Sequence, residues 1–327
     1  MLHRVIFLAG CLALIAAATP AVASATALPG PALKTSPGAL QRAFTCTGRL
    51  ARAKRDPVLL VHGTFADSAI NWSWNYERQL PARGEPTCAV DLPNRSSGDI
   101  QVSAEYVVYA IRAMARKSGR KIAIVGHSQG GLDTRWALRW WPDLRNLVSD
   151  VVMFATPNHG AVYSDTACTG PSMCAASLYQ MRSDSRFLVA LNAGGDTVGA
   201  VPYTAVVTKT DTTFVLPQQG RLNGTRARVT SVAVQDLCPG RQVDHNGLVY
   251  DAASNAIALD ALDHQGPAEL TRIDRPVCER DTMPFTTRAE ADAKVQAYSG
   301  TLIDLLGPSG PRAKREPRLA GYAKRGS

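Results

Sequence analysis

The sequence predicts an α/β fold: a mostly parallel central sheet with helices on both faces and a small covering segment. Three observations carry that prediction. Short apolar runs of buried-strand length alternate with helical patterns between residues 58 and 305, and such alternation closes into a parallel sheet covered on both sides. Residues 121–141, KIAIVGHSQGGLDTRWALRWW, place a β-branched strand, a Gly-rich turn and a helix in immediate succession. Residues 156–200 interrupt the pattern with Gly, Ser, Thr and Asn, as an insertion over the sheet edge does. At 327 residues and 45% hydrophobic content the chain can bury a sizeable core, and nothing marks a second domain or an internal repeat.

The first element is a targeting segment. His3 and Arg4 begin it, residues 5–18 are apolar, and Ala21-Val22-Ala23 is an A-x-A cleavage site. Residues 1–23 therefore read as a signal peptide cleaved near Ala23, followed by secretion. The apolar run is too short to span a membrane, so no integral membrane segment is expected. Leu8-Ala9-Gly10-Cys11 resembles a lipobox, but only six apolar residues precede Cys11 and the apolar run continues beyond it, so lipid anchoring is the lesser reading. Residues 24–43, small and without period, suit a linker or propeptide.

The catalytic unit is expected over residues 44–307. Residues 58–61 and 87–92 are apolar strands. Residues 103–118 are helical, with Val107, Val108, Ile111 and Met114 on one face and Gly119 as the stop. Strands follow at 121–125 and 150–154, then the 156–200 segment, with a short helical run at 185–191. Two more strands lie at 203–210 and 229–234, and Thr287 with Glu290 forms a capping box for a last helix through Leu305.

Beyond Cys11 there are six cysteines: 46, 88, 168, 174, 238 and 278. An even set in an exported chain implies disulfides. Fifteen pairings are possible, sequential pairing being the simplest. Loops 46–88 and 238–278 would be worth roughly 4 kcal/mol each, and 168–174 roughly 2. The formal charge of +9 sits largely in residues 308–327, where six Arg/Lys face one Glu. With Arg4 in the leader, the rest carries only +3. The placement argues against nucleic acid and reads as a basic disordered tail, either solvated or touching an anionic envelope.

Gly126-His127-Ser128-Gln129-Gly130 has the form G-x-S-x-G between strand and helix. A serine on so sharp a turn is strained, and side chains two positions either side would collide with the neighbouring strand and helix. The helix start aims N–H groups at the hydroxyl. An incidental serine in a Gly-rich turn is the bland alternative. A nucleophilic serine needs a base, and the base needs an orienting acid. These partners are expected later in the chain, in the order acid then His, at strand ends. His245, in a polar loop after the strand at 229–234, is preferred to His264 at a helix end. Asp211 directly follows the strand at 203–210 and is preferred to Asp184, Asp196, Asp236 and Asp244. Oxyanion donors are expected at the Gln129 N–H and at Thr64 after the first core strand. His62 and His127 are read as packing beside the site.

The segments DPVLLVHGT, GHSQGG, TKTDTTFVLP and VDHNGL, in this order and spacing, resemble the secreted α/β-hydrolase lipases related to lipase B of Candida antarctica. The likeness covers roughly residues 44–306. It implies an α/β-hydrolase fold with Ser128 as nucleophile, Asp211 as acid, His245 as base, and Thr64 with Gln129 as oxyanion hole. It also implies the disulfides Cys46–Cys88 and Cys238–Cys278. Departures are Gly126 where the yeast enzyme has threonine, the Cys168–Cys174 segment, and the basic tail.

The expected function is a secreted serine ester hydrolase, foremost a triacylglycerol lipase, meeting lipid or ester at a lipid–water interface. A short-chain carboxylesterase or a polyester depolymerase is the alternative, and an inactive binder of lipid or envelope components the distant one. A dehalogenase would carry aspartate at the turn, and a peptidase of this fold more cap. No cofactor and no metal are expected, since no dense carboxylate loop stands out. A monomer is expected.

Overall fold

The computed structural model describes residues 1, 29–308 and 310–325. The expected signal peptide, its expected cleavage site near Ala23, and Cys11 lie outside these residues. Among the described residues no helix is long and apolar enough to cross a membrane.

Seven strands form one sheet in the order β1-β3-β2-β4-β5-β6-β7: β1 Phe44–Thr47, β2 Val58–Val61, β3 Thr87–Val90, β4 Ile122–His127, β5 Val148–Phe154, β6 Tyr203–Val207 and β7 Val229–Ala233. All neighbours are parallel except the edge strand β1, which runs antiparallel to β3. The apolar runs at 58–61, 121–125 and 150–154 thus became central strands, buried on both faces. β1 is a strand that sequence pattern did not mark, because FTCT alternates weakly and is mostly exposed. Its register sets Cys46 opposite Cys88, and those two are joined. Cys168–Cys174 and Cys238–Cys278 are the other disulfides, which is sequential pairing.

Helices α1 Pro37–Arg42, α4 Ile100–Ser118 and α5 Gln129–Trp140 lie with one core cluster. It is built from Val107, Ile111, Met114, Leu132 and Trp136 against Leu59, Val61 and Ile124. The 103–118 face predicted to be apolar is buried throughout, and Gly119 ends the helix at φ 66°. Alternate strand side chains point the other way, as period two requires. There Leu60, Val125 and Val152 join a second cluster with Trp72, Tyr76, Leu248 and Ile257. Helices α3 Tyr76–Ala82, α10 Val234–Leu237 and α11 Ala252–Asp263 belong to that face, and the short helix α2 Ser68–Asn71 leads into Trp72 of the same cluster. After β5 come α6 Val162–Ala167, α7 Ala176–Gln180 and α8 Arg186–Asn192, then α9 Pro217–Gly220 after β6. The last helix, α12 Arg288–Leu306, starts on Thr287, whose side chain accepts from Glu290 N.

Two segments are held more firmly than their composition suggests. In residues 29–43, read from sequence as the end of a linker or propeptide, Lys34 and Thr35 N–H donate to Glu105 at 2.9 and 2.7 Å, Trp141 Nε1 donates to Pro31 O, and Leu40 of α1 is buried. The basic tail, expected to be disordered, is not so over its described residues. Glu316 accepts from Phe187 N at 2.9 Å, Ala320 N donates to Gln101 Oε1 at 2.7 Å, and Tyr322 Oη takes Trp136 Nε1 at 3.0 Å. Small, Pro-rich composition gave both segments a loose look. Their order comes from partners on α4, α5 and α8, far away in sequence.

Candidate active site

Register brings the site together. Val61 of β2 is level with Gly126 of β4, and His127 of β4 with Phe154 of β5. The loops leaving these strands therefore meet at one edge of the sheet. At its centre Ser128 has φ 52° and ψ −124°, a strained turn costing on the order of 1–3 kcal/mol. Its N–H is held by Phe154 O at 2.7 Å. A Cβ on Gly126 would come within 2.9 Å of Gly131 N, and one on Gly130 within 2.8 Å of His62 O, so the flanking glycines are required sterically.

Asp211 follows β6 by a short turn. Its Oδ1 accepts from Phe214 N at 2.9 Å, and its Oδ2 from Val215 N at 3.1 Å and from His245 Nδ1 at 2.7 Å. Burial alone would raise its proton affinity, but His245 and the two N–H groups hold its pKa below the usual carboxylate value. That bond leaves His245 with Nδ1–H facing Asp211. The His245 ring sits against Phe214 and His127 with centroids at 4.9 and 5.1 Å. Ser128 and His245 line the same cavity, with Thr64 at its wall.

The rival residues are engaged elsewhere. His264 bonds Asp260 and faces a groove that also takes in Asp150 and Pro202, at the starts of β5 and β6. Asp184 pairs with Arg182, Asp236 with Lys209, and Asp196 with His159, while Asp244 accepts from Gly247 N.

Thr64 Oγ1 donates to Gln129 Oε1 at 2.7 Å, tying the loop after β2 to the start of α5. His62 is wholly buried, which lowers its pKa. It takes Leu92 N on Nε2 at 2.9 Å and lies 2.8 Å from Gly63 O through Nδ1. His127 is driven down to about 3, chiefly by burial. Both imidazoles are thus neutral supports, as their flanking positions suggested.

A family model described as the alpha/beta hydrolase family matches residues 58–310. The chain belongs to the alpha/beta hydrolase family. As an alpha/beta hydrolase it is 28% identical to Lipase B of Pseudozyma antarctica, over 97% of this chain and 93% of that protein. It is 29% identical to a triacylglycerol lipase of Pseudarthrobacter phenanthrenivorans, over 35% of this chain and 36% of the relative. Among solved structures, lipase B of Aspergillus fumigatus superimposes with a TM-score of 0.82 at 29% identity, covering 90% of this chain and 74% of that one.

Several residues of this alpha/beta hydrolase site left no local signal. Asn71 Oδ1 accepts from Gly63 N and faces His127 Nδ1. Thr208 Oγ1 donates to Val243 O at 2.7 Å and Thr210 bonds the same carbonyl. Together they pin the Asp211 turn to the His245 loop. The cavity wall comes partly from the predicted covering segment, with Pro157, Tyr163, Leu178 and Met181. It comes also from α12, whose Tyr298, Leu302 and Leu306 close the other side, and Tyr298 Oη donates to Thr64 O at 3.1 Å. Arg135 of α5 anchors the covering segment through Asn158, Asn192 and Asp196 O. Among the described residues no group of three His, Cys, Asp or Glu is placed to hold a metal ion.

Proposed function

We propose that this chain is a secreted serine carboxylic ester hydrolase, a triacylglycerol lipase, with Ser128, His245 and Asp211 as its triad. The observation that carries the reading is a serine on a strained strand-to-helix turn, in one apolar cavity with a histidine bonded to a buried carboxylate. Likeness to proteins named as lipases over nearly the whole chain supports the substrate class. Three disulfides support export.

In this reading Ser128 Oγ attacks the ester carbonyl while its proton passes to His245 Nε2. The Thr64 and Gln129 N–H groups receive the oxyanion, each donor worth about 3 kcal/mol at the transition state. His245 returns the proton to the leaving alkoxide oxygen as the carbon–oxygen bond breaks, leaving the acyl group on Ser128. Water then attacks that carbonyl, giving its proton to His245, and the acid departs as Ser128 recovers the proton. Asp211 keeps His245 in the Nδ1–H tautomer and offsets its charge.

A carboxylesterase for short, soluble esters is the second reading, favoured by the bulky side chains that the covering segment and α12 both set into the cavity wall, among them Tyr163, Met181, Tyr298 and Leu302. Hydrolysis of p-nitrophenyl esters of increasing chain length and of emulsified triolein, by wild type and Ser128→Ala, tests both. Turnover of long esters and triolein that vanishes in Ser128→Ala, by on the order of 10⁵-fold or more, is expected. Turnover of short esters alone supports the esterase. Full activity in Ser128→Ala sinks the serine mechanism.

A further inference from the structure

We propose that Asp133 is a positioning residue for the oxyanion pocket: it holds the Gln129 side chain, and through it Thr64, in the orientation the reaction needs. The inference rests on the hydrolase reading above.

Gln129 and Asp133 lie four residues apart on α5, so they share one face of the helix. Both are fully buried. The Gln129 carboxamide is satisfied on one side only, where Oε1 takes the Thr64 hydroxyl. Its Nε2 has no partner of ordinary geometry, and neither has either Asp133 oxygen. A buried donor without an acceptor thus stands one helical turn from a buried acceptor without a donor. The two sense each other: burial dominates and pushes the Asp133 pKa well up, while the Gln129 amide opposes that push and Asp99 adds to it. No hydrogen bond of ordinary geometry joins them, yet each is the natural partner of the other.

A buried, unpaired carboxyl costs stability, and an apolar residue of similar size on this face would cost less. The surroundings invite one, since α5 packs here against α4, with Ile111 and Met114 in the same cluster as Leu132 and Trp136. A residue that breaks the local rule without a structural return points to function. Asp133 supplies an acceptor for Nε2–H, fixing which way the amide faces. Oε1 is then committed to Thr64, and the two segments that offer oxyanion N–H groups move as one. Without Asp133 the amide turns freely and the loop after β2 loses its fixed tie to the Ser128 turn.

The test uses the full chain, with p-nitrophenyl butyrate as substrate and active sites counted by a fluorophosphonate. In Asp133→Val, kcat should fall about 10- to 100-fold, less than the loss of a direct oxyanion donor, while KM changes less than twofold and Tm is unchanged or higher. Asp133→Asn retains an acceptor for Nε2–H and should stay within about threefold of wild type. Adding Asp133→Val to Gln129→Leu should lower kcat no further than Gln129→Leu alone, because both act through one amide. Wild-type kcat in Asp133→Val, an Asn variant as impaired as Val, or additive losses would each overturn the assignment. Should the Val protein fail to fold, Asp133→Ala decides by the same criteria. An inactive wild type would overturn the hydrolase reading and this assignment with it; an active wild type with an unaffected variant overturns this assignment alone.

Discussion

The edge of the sheet that carries Ser128, Asp211 and His245 and the wall that covers it are held in place by different physics. At the edge, positions follow from strand register and short turns, and each key polar group has a partner within a few residues of a strand end. Phe154 O holds Ser128 N, two N–H groups and His245 hold Asp211, and Thr208 and Thr210 hold the histidine loop. The wall is assembled from separate pieces of chain. Residues 157–181 and 298–306 meet over the cavity, Arg135 ties the first piece down from below, and the C-terminal segment straps it from outside through Glu316 and Ala313. The lesson is a division of labour. The candidate site residues sit on loops held at the strand ends, and the cavity wall is assembled separately from them.

Changes on each side should separate these contributions. The largest effect is expected from Asp211→Asn, which keeps the size of the side chain but offers His245 the wrong partner. Turnover should fall on the order of 10⁴-fold, read as kcat on a soluble ester. Its stability signature has a defined sign. The folded-state pKa of Asp211 lies below the unfolded value, so the ionised group stabilises the protein above about pH 4 and that share is lost as pH falls through the folded value. The Tm gap between wild type and Asp211→Asn should therefore be wide at pH 7 and narrow as pH falls through the folded value.

Arg135→Ala addresses the wall. Arg135 is almost wholly buried, which lowers its pKa to about 10, and its donors satisfy Asn158, Asn192 and the Asp196 carbonyl. Removing it should cost about 3–5 kcal/mol in a denaturant titration. Labelling of Ser128 by a fluorophosphonate in the surviving folded fraction should change far less. An equal loss of labelling would erase the distinction between edge and wall.

Leu302→Trp is a finer probe of the same boundary. Filling the cavity from α12 should lower kcat/KM for long esters relative to acetate by about 10- to 100-fold, the worth of one or two methylenes of misfit. The acetate rate should stay near wild type. A parallel fall for every chain length would mean that α12 supports the edge as well as the wall.

The smallest effect, and a control, lies at the opposite edge. Asp150 of β5 is pushed up to about 8, mainly by burial, with Asp56 adding to the shift and Lys121 opposing it. A raised folded value means that stability is lost as pH rises from about 4 toward 8, because the unfolded chain gives up its proton first. Asp150→Asn should melt with wild type near pH 4 and several degrees higher at pH 8, with turnover unchanged. A loss of activity would show that the two edges are coupled.

What could be read locally was read well, and what failed was long-range. The Gly126–Gly130 turn is written in five consecutive residues because its geometry is a local steric matter. The apolar strand runs are legible for the same reason, since burial on both faces leaves a continuous signature. Asp211 stood out because it follows an apolar strand run, and His245 because it lies in the polar loop beyond the last one; the structure joins the two through Nδ1 and Oδ2. Asn71, Thr208, Tyr298 and Arg135 were missed because their roles lie in partners far away in sequence: Gly63 and His127, Val243, Thr64, and Asn158 with Asn192. The weak edge strand β1 was missed because its partner strand, not its own pattern, makes it a strand.

By itself, then, the sequence determined the apolar strand runs, the two longest helices and the serine turn, and it singled out an aspartate and a histidine that the structure brings into contact. These follow from side-chain period, backbone sterics and turn chemistry, all of which act over a few residues. Tertiary structure decided the rest. It turned residues 29–43 and the basic tail into packed straps through contacts spanning up to 219 positions in the chain, and it made α12 a cavity wall. It also buried Asp133 of α5 completely. Those outcomes depend on which distant surfaces meet when the sheet closes, and no short stretch of residues carries that information.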